Sequence, residues 1–442
     1  MSAAPDAPAD VAVVGAGAAG LATAAFAARQ APALSILMLD GARRPGAKIL
    51  VSGGGRCNVT NTVVTPADFW APASPPLRRV LRAFSVERTR AFFEQIGVAL
   101  HEEPGGKLFP DTRRARTVLD ALLEELRRRG VALLADHRVL AVRREAPGFA
   151  LATGRGVFRA RALVLATGGL SLPKTGSDGA GYAFAEALGH SVAPRTPALD
   201  PLLLDGSFHA ALTGVSHDVE ITVREPGARP VRIPGALLWT HFGASGPAAL
   251  DASRFWHRAR LRGREALLTV DLIPGLGFEG AESRLLALAA ARPRLSLESA
   301  VATLLPAAVS AAVVRARGLD GSTPLGRLRR EDRRALVQAL LAWPLPVRGT
   351  RGYNFAEVTA GGVPLDEVDA GTLESRRCPG LYLAGEILDV DGRLGGFNFQ
   401  WAWSSAWVVA SALARRAADH AAAPAPCRGT PPPGGRPTAR DR

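Results

Sequence analysis

Residues 11–26, VAVVGAGAAGLATAAF, together with the acid at position 40, decide the fold. An apolar strand, Val11 to Val14, runs directly into Gly15, Gly17 and Gly20, and an alanine-rich helix follows. A second apolar strand, Leu34 to Leu39, then ends on Asp40. A GxGxxG run alone is weak evidence. Set between a strand and a helix and followed by a terminal acid, it is the dinucleotide-binding fingerprint in its required context. Gly15 permits the tight turn, Gly17 lets backbone approach a pyrophosphate, and Gly20 lets helix and strand pack closely. The helix N-terminus offers unpaired N–H groups and the positive end of a dipole to phosphate. Asp40 stands where a carboxylate takes the ribose hydroxyls of an adenosine.

The surrounding chain narrows the class. Its 442 residues allow two or three domains with substantial cores. No apolar run approaches the length of a membrane helix, and the opening MSAAPDAPAD has no signal-peptide pattern. Cys57, Cys378 and Cys427 show neither CxxC nor metal-ligand spacing, which points to a reducing cytoplasmic setting and no metal. The net charge of +14 raises nucleic acid as a partner, yet no block of five clustered basic residues occurs; RARLRGR at 258–264 is the densest. Such an even arginine excess reads as compositional bias and argues against a nucleic-acid partner. The same bias is informative about lysine. Only Lys48, Lys107 and Lys174 survive among 54 basic residues, in GAKILVSGGGRCN, PGGKLFPDT and LPKTGSDGAGY. A compact ammonium fits where a broad guanidinium does not, so each is expected to have a local structural or cofactor role.

Along the chain, KILVSGGGRCNVTN (48–61) cannot stay regular through its glycine triplet and reads as a loop that lies flat against a ligand. Residues 85–97 and 113–129 read as amphipathic helices, the second closed by Gly130. RALVLATGG (161–169) is a strand ending in a glycine-bearing turn. From about Pro194 the pattern turns to short β-like runs (LLLDG, DVEITV, VRIPG, LLTVDL), with LLWTHFGASGPAALDAS (237–253) as a loop entering a helix. The expected organisation is a disordered lead over 1–9 and a nucleotide-binding domain split between 10–193 and 351–416. Between them lies an insert over 194–350, β-rich to 275 and helical over 280–345, and a disordered tail covers 417–442. The last helix, GGFNFQWAWSSAWVVASALARR, carries Trp403 and Trp407 on one face.

With SGGGRCNVTN, ATGGLSLPKTGSDGAGY, THFGASGP, EVTAGGV and LYLAGEILDVDGRLGGFNFQWAWSS standing in this order, the chain resembles the BaiN/YhiN-like flavoproteins. These are described as NAD(P)/FAD-dependent oxidoreductases and have aminoacetone-oxidase-type relatives. The resemblance runs from about Asp10 to Arg415. It implies an α/β Rossmann-type FAD-binding domain of the glutathione-reductase kind, with an inserted β-rich plus helical domain over the flavin. Carried residue by residue, it implies that Gly15, Gly17, Ala19 and Gly20 hold the pyrophosphate, Asp40 the adenosine ribose, and Val139 the adenine through its backbone. Lys48, Ser52, Gly53, Gly54, Gly55 and Asn58 would line the flavin or diphosphate, and Ala166, Thr167 and Gly168 form the second glycine-bearing turn. Gly385 and Glu386 would approach the ribityl region, with Glu where the superfamily usually has Asp. Gly396, Asn398 and Phe399 would bring the last helix's N-terminus to the pyrimidine end of the ring, where its dipole favours a reduced anion.

The chemistry follows from the cofactor, since hydride transfer at flavin N5 needs orientation more than a nucleophile. His241, in the THFGASGP loop, is the expected catalytic acid–base group, with Tyr353 as another candidate. Cys57 has no partner cysteine and reads as a packed thiol. The expected activity is FAD-dependent oxidation or reduction of a small organic substrate, either as an amine/ketone-type oxidase or as an NAD(P)H-dependent reductase. FAD-dependent RNA modification and a non-catalytic redox-sensing flavoprotein are the alternatives. The single fingerprint argues against a separate nicotinamide domain, leaving NAD(P)H as a transient reductant at the flavin itself.

Overall fold

The computed structural model describes residues 7–71 and 74–422. The fingerprint folds as β1 (Ala9–Val14), α1 (Ala18–Gln30) and β2 (Ile36–Leu39), in the order its residue pattern dictates. β1 lies between β2 on one side and the strand Gly156–Leu165 on the other, all three parallel, and Ala132–Leu134 extends the sheet beyond β2. Gly156–Leu165 changes partner along its length. Residues 156–160 pair antiparallel with the hairpin strand Gly148–Thr153, and residues 163–165 pair in parallel with Leu381–Leu383. The register aligns Val14 with Leu39 and Leu165, and Leu165 with Leu383. Four strand ends thus share one edge, which sets Gly15, Asp40, Ala166 and Ala384 side by side. In an open α/β sheet this is the edge that binds ligands.

The first and last helices pack against each other over this sheet. α1 is alanine-rich and buried along nearly its whole length, as close packing demands. The last helix spans Phe397–Ala422 and therefore runs past residue 416, where a disordered tail was expected to begin. Its apolar pattern persists through Ala412 and Leu413 into the core. The rest of that expected tail (423–442), and residues 1–6 of the expected lead, lie outside the described residues. Trp403 is buried and donates its indole N–H to Val59 O, while Trp407 stacks on Phe84. Both indoles are packing groups.

The second core is built on a seven-stranded antiparallel sheet, ordered Trp343–Leu345, Leu267–Asp271, Ser216–Arg224, Val231–Thr240, Gly243–Ser245, Leu202–Leu204 and Val347–Thr350. Val219, Ile221 and Val223 alternate with more exposed polar residues, the signature of a sheet with one covered face. The helices Gly246–Leu261, Gly277–Ala291, Leu297–Val301, Ala307–Ala316 and Arg330–Leu341 belong to the same core. One local reading changes. Leu237 to Thr240 complete a strand rather than a loop, because Val231–Thr240 continues straight through Pro234, pairing with Ser216–Arg224 over Val231–Leu238 and with Gly243–Ser245 over Leu238–Thr240. The chain enters and leaves this body side by side, through the antiparallel pair Thr196–Ala198 and Val358–Ala360.

Candidate functional site

A cleft of about 640 Å³ follows the sheet edge described above. Its floor is the fingerprint turn. Gly15 has φ 100°, and a Cβ there would stand 2.5 Å from Ala166 O. A Cβ on Gly20 would stand 1.9 Å from Gly15 O, so Gly20 serves the helix–turn contact and does not face the cleft. Gly17 is different: a Cβ there meets nothing within 4 Å and projects into the cleft. Asp40 fixes the turn from the side, its Oδ2 accepting from Ala16 N at 2.6 Å and its Oδ1 from Ala42 N at 2.7 Å.

The glycine triplet forms the next wall. The helix Ala47–Gly55 breaks at Ser52, and Gly53 and Gly54 adopt left-handed backbone at φ 55° and 68°. This satisfies the expectation that the triplet abandons regular structure. Lys48, Ser52, Gly53, Gly54 and Asn58 reach the cleft; Gly55 turns away from it. Lys48 Nζ is held 2.7 Å from Glu386 Oε2, and Glu386 Oε1 accepts from Thr359 N at 2.8 Å. The expected lysine and the expected acid therefore form one strap across the cleft. Gly385 lies behind it with φ 78°, its N–H donated to Ser405 Oγ and its carbonyl accepting from Trp401 Nε1.

Ala19, Val139, Ala166, Thr167, Gly168, Gly396, Asn398 and Phe399 also border the cleft. Gly396 allows the last helix to start against Thr60 O, where a Cβ would stand 2.5 Å away. The Asn398 amide is committed elsewhere: Oδ1 accepts from Gly392 N and Nδ2 donates to Gly392 O, bracing a turn instead of reaching into the cleft. Gly20, Gly55 and Gly385 are thus the expected cofactor positions that the structure keeps behind the wall.

The expected acid–base group is not in the cleft. His241 is exposed at the turn between Val231–Thr240 and Gly243–Ser245. The glycines around it serve sheet packing, since a Cβ on Gly243 would stand 2.2 Å from Leu202 O and one on Gly246 2.8 Å from Ala236 O. The polar, glycine-bearing character of THFGASGP is a hairpin signal, and His241 stands outside the cleft that the expected acid–base role requires. Tyr353 is half-buried outside the lining. Cys57 is fully buried, and burial pushes its thiol up to about 12, so it is a packed group and no nucleophile. Arg56 beside it is turned to Glu103 and lies over the Phe109 ring.

Two residues of consequence lay outside the expected list. All three lysines of the chain border this one cleft; Lys107 was flagged by its rarity but assigned no place. Glu357, inside the quoted EVTAGGV, also projects into it. Its side chain is exposed to the cleft, and the protein massed around the cleft raises its carboxyl above the usual carboxylate range against the pull of Lys48 and Lys107. A carboxyl next to lysines in a glycine-lined cleft is the one signal that could have singled it out.

The residues fit FAD on structural grounds. Asn58 and Thr167 stand on the cleft wall, with Asn58 Oδ1 and Thr167 Oγ1 buried without a hydrogen-bond partner and packed against Gly396 and Gly181. Gly17 and Gly54 leave open space where any side chain would intrude. The cleft size suits an extended cofactor.

Sheet edge, fingerprint and cleft together define a dinucleotide-binding redox enzyme of the Rossmann flavoprotein class. The chain belongs to the HI0933-like family, whose HI0933-like protein Rossmann domain matches residues 9–412. It is 36% identical over 412 residues to the ribosomal RNA dihydrouridine synthase of Escherichia coli (strain K12), covering 91% of this chain and 98% of that protein. It is 31% identical over 406 residues to the 3-dehydro-bile acid delta(4,6)-reductase of Clostridium scindens, covering 92% and 99%. Among solved structures, 3-ketosteroid delta1-dehydrogenase from Sterolibacterium denitrificans aligns over 92% of this chain and 100% of its own at 15% identity, with a TM-score of 0.49. The family and these full-length relatives make the chain an FAD-dependent oxidoreductase. Among the described residues no helix is long and apolar enough to cross a membrane.

Proposed function

We propose that this enzyme saturates a carbon–carbon double bond conjugated to a carbonyl group. FAD, once reduced, supplies the hydride, and a reduced nicotinamide dinucleotide restores it. The observation that carries this reading is the chemistry shared by two full-length relatives of different substrate. Forming dihydrouridine from uridine and reducing a delta(4,6) bile-acid ketone both add hydrogen across such a bond. The polarised bond also suits the cleft, which presents Lys107 and Glu357 where an oxygen acceptor and a proton would be handled. Fingerprint glycines, Asp40, Asn58 and Thr167 would hold the cofactor along the strand ends, and the Lys48–Glu386 strap would lie against it. His241, exposed on its hairpin, has no part in this reading.

Two substrate classes fit the bond. A small conjugated ketone matches a cleft that fits one extended cofactor and a compact substrate. A uracil ring presented by RNA is favoured by the likeness to a ribosomal RNA dihydrouridine synthase. The deciding experiment reduces the enzyme anaerobically with NADH or NADPH. It then adds either a steroid 4,6-dien-3-one or ribosomal RNA lacking dihydrouridine, following flavin absorbance and the mass gain of the product. Reoxidation by one probe but not the other assigns the substrate class. Reoxidation by oxygen alone overturns the reading in favour of an oxidase.

A further inference from the structure

Most charged groups on the cleft wall already have partners. Lys48 is tied to Glu386, Arg56 to Glu103, Arg138 to Asp178 and Arg393 to Asp68, and Asp40 holds two backbone N–H groups. Among the described residues, the side chains of Glu357, Lys107 and Lys174 make no ion pair or hydrogen bond. Lys174 lines the cleft on the segment whose backbone is hydrogen-bonded to Tyr353 and Thr359. Glu357 and Lys107 line the same cleft, and the charges of Lys48 and Lys107 both act on the Glu357 carboxyl. The backbone at Glu357 is held in place. Its N–H is donated to Leu199 O, and the next residues, Val358–Ala360, pair with Thr196–Ala198 where the two bodies of the molecule meet.

We propose that Glu357 is the proton donor of the reduction and that Lys107 receives the charge developing on the substrate carbonyl oxygen. This rests on the C=C reading given above. The hydride adds to the carbon β to the carbonyl, and the π pair moves to place negative charge on the carbonyl oxygen, facing the Lys107 ammonium. That pair then takes the proton from the Glu357 carboxyl at the α carbon, which leaves a saturated ketone and a Glu357 carboxylate. Two electrons leave the cofactor, a reduced nicotinamide dinucleotide returns them, and solvent returns the proton to Glu357. The charged groups around Glu357 are Lys48 and Lys107, which favour its ionised form, and Asp251, which opposes it. The protein massed around the cleft raises its carboxyl above the usual carboxylate range, the direction a general acid requires.

The test compares wild type with Glu357→Gln and Glu357→Asp as holoenzymes. Glu357→Gln is expected to keep its FAD dissociation constant and its rate of reduction by NADH or NADPH, each within about twofold, because the group faces substrate. Reoxidation of its reduced flavin by the dienone or RNA probe that serves wild type should slow at least about a hundredfold, with partial recovery in Glu357→Asp. The wild-type reoxidation rate should fall as pH rises through the raised Glu357 pKa, and that dependence should vanish in Glu357→Gln. An unchanged reoxidation rate overturns the proposal while leaving the C=C reading intact. Loss of FAD binding in Glu357→Gln also overturns it, since the carboxyl would then belong to the cofactor site. If wild type itself passes electrons only to oxygen, the C=C reading fails, and the proton-donor role fails with it.

Discussion

Gly17 and Gly20 lie three residues apart in one motif and do opposite work. Gly17 borders open cleft, whereas Gly20 is pressed on Gly15 O. Gly17→Val is therefore expected to leave the melting temperature of the flavin-free protein unchanged and to abolish the yellow, FAD-loaded form. Gly20→Ala should cost about 1–3 kcal/mol of stability by forcing backbone apart, measured by urea denaturation of the flavin-free protein. If both variants lose stability equally, the cleft-facing role of Gly17 is wrong. Asp40→Ala removes both the hydrogen bonds that order the turn and the ribose acceptor proposed there. FAD affinity should drop by about 1–3 kcal/mol, the scale for hydrogen bonds to a charged group, and fluorescence titration checks it.

At the scale of elements, the break after Ser52 shapes the cleft wall. Gly53 and Gly54 both occupy left-handed backbone, but only Gly53 is crowded, with a Cβ 3.1 Å from Asn58 N and 3.2 Å from Phe109. Gly54→Ala should cost about 1 kcal/mol, the backbone penalty alone. Gly53→Ala should cost clearly more, because neighbours must also move. Equal unfolding midpoints for the two variants would contradict this. The break matters for the cleft because it carries Asn58 to the wall, where its Oδ1 packs against Gly396.

For the whole molecule, the two bodies are joined by buried charge as well as by chain. Arg254, on the helix Gly246–Leu261, donates from Nε and from one terminal nitrogen to the two oxygens of Asp391 at 2.7 and 2.8 Å. It also lies over the Trp70 ring. The pair is 3% and 1% exposed, so removing one partner strands a charge. Arg254→Met should cost about 3–5 kcal/mol, and Arg254→Met combined with Asp391→Leu should recover much of it. A double variant as unstable as the sum of the singles would show the pair to be uncoupled. Asp251, on the same helix, accepts from Leu394 N at 2.8 Å, and burial raises its pKa to about 7. A carboxyl whose folded pKa exceeds its unfolded value near 3.9 favours the folded state most at low pH. That contribution is lost progressively as pH rises to about 7. Asp251→Asn keeps the acceptor and removes the titration, so its stability should be flatter from pH 5 to 8 and at least equal to wild type at pH 8. Thermal melts across that range check both statements.

The cofactor half of the protein is legible in the residues alone. Phosphate recognition is a local demand: a strand, glycines at fixed spacing, a helix start and a strand-end acid lie within residues 11–40, so their meaning is readable before anything folds. The scarcity of lysine was legible in the same way, and it pointed to three residues that share one cleft. The company each residue keeps depends on how the folded chain brings distant segments together. Lys48 meets Glu386 across 338 positions, and Glu357 reaches the cleft because the pairing of Val358–Ala360 with Thr196–Ala198 carries it there. His241 stands on an outer hairpin because Gly243 and Gly246 are needed for strand packing, a use of glycine that looks the same in sequence as a ligand-facing loop. Composition and spacing report what a segment can do locally, whereas which charge is left free to act depends on partners brought together by strand register over the whole chain.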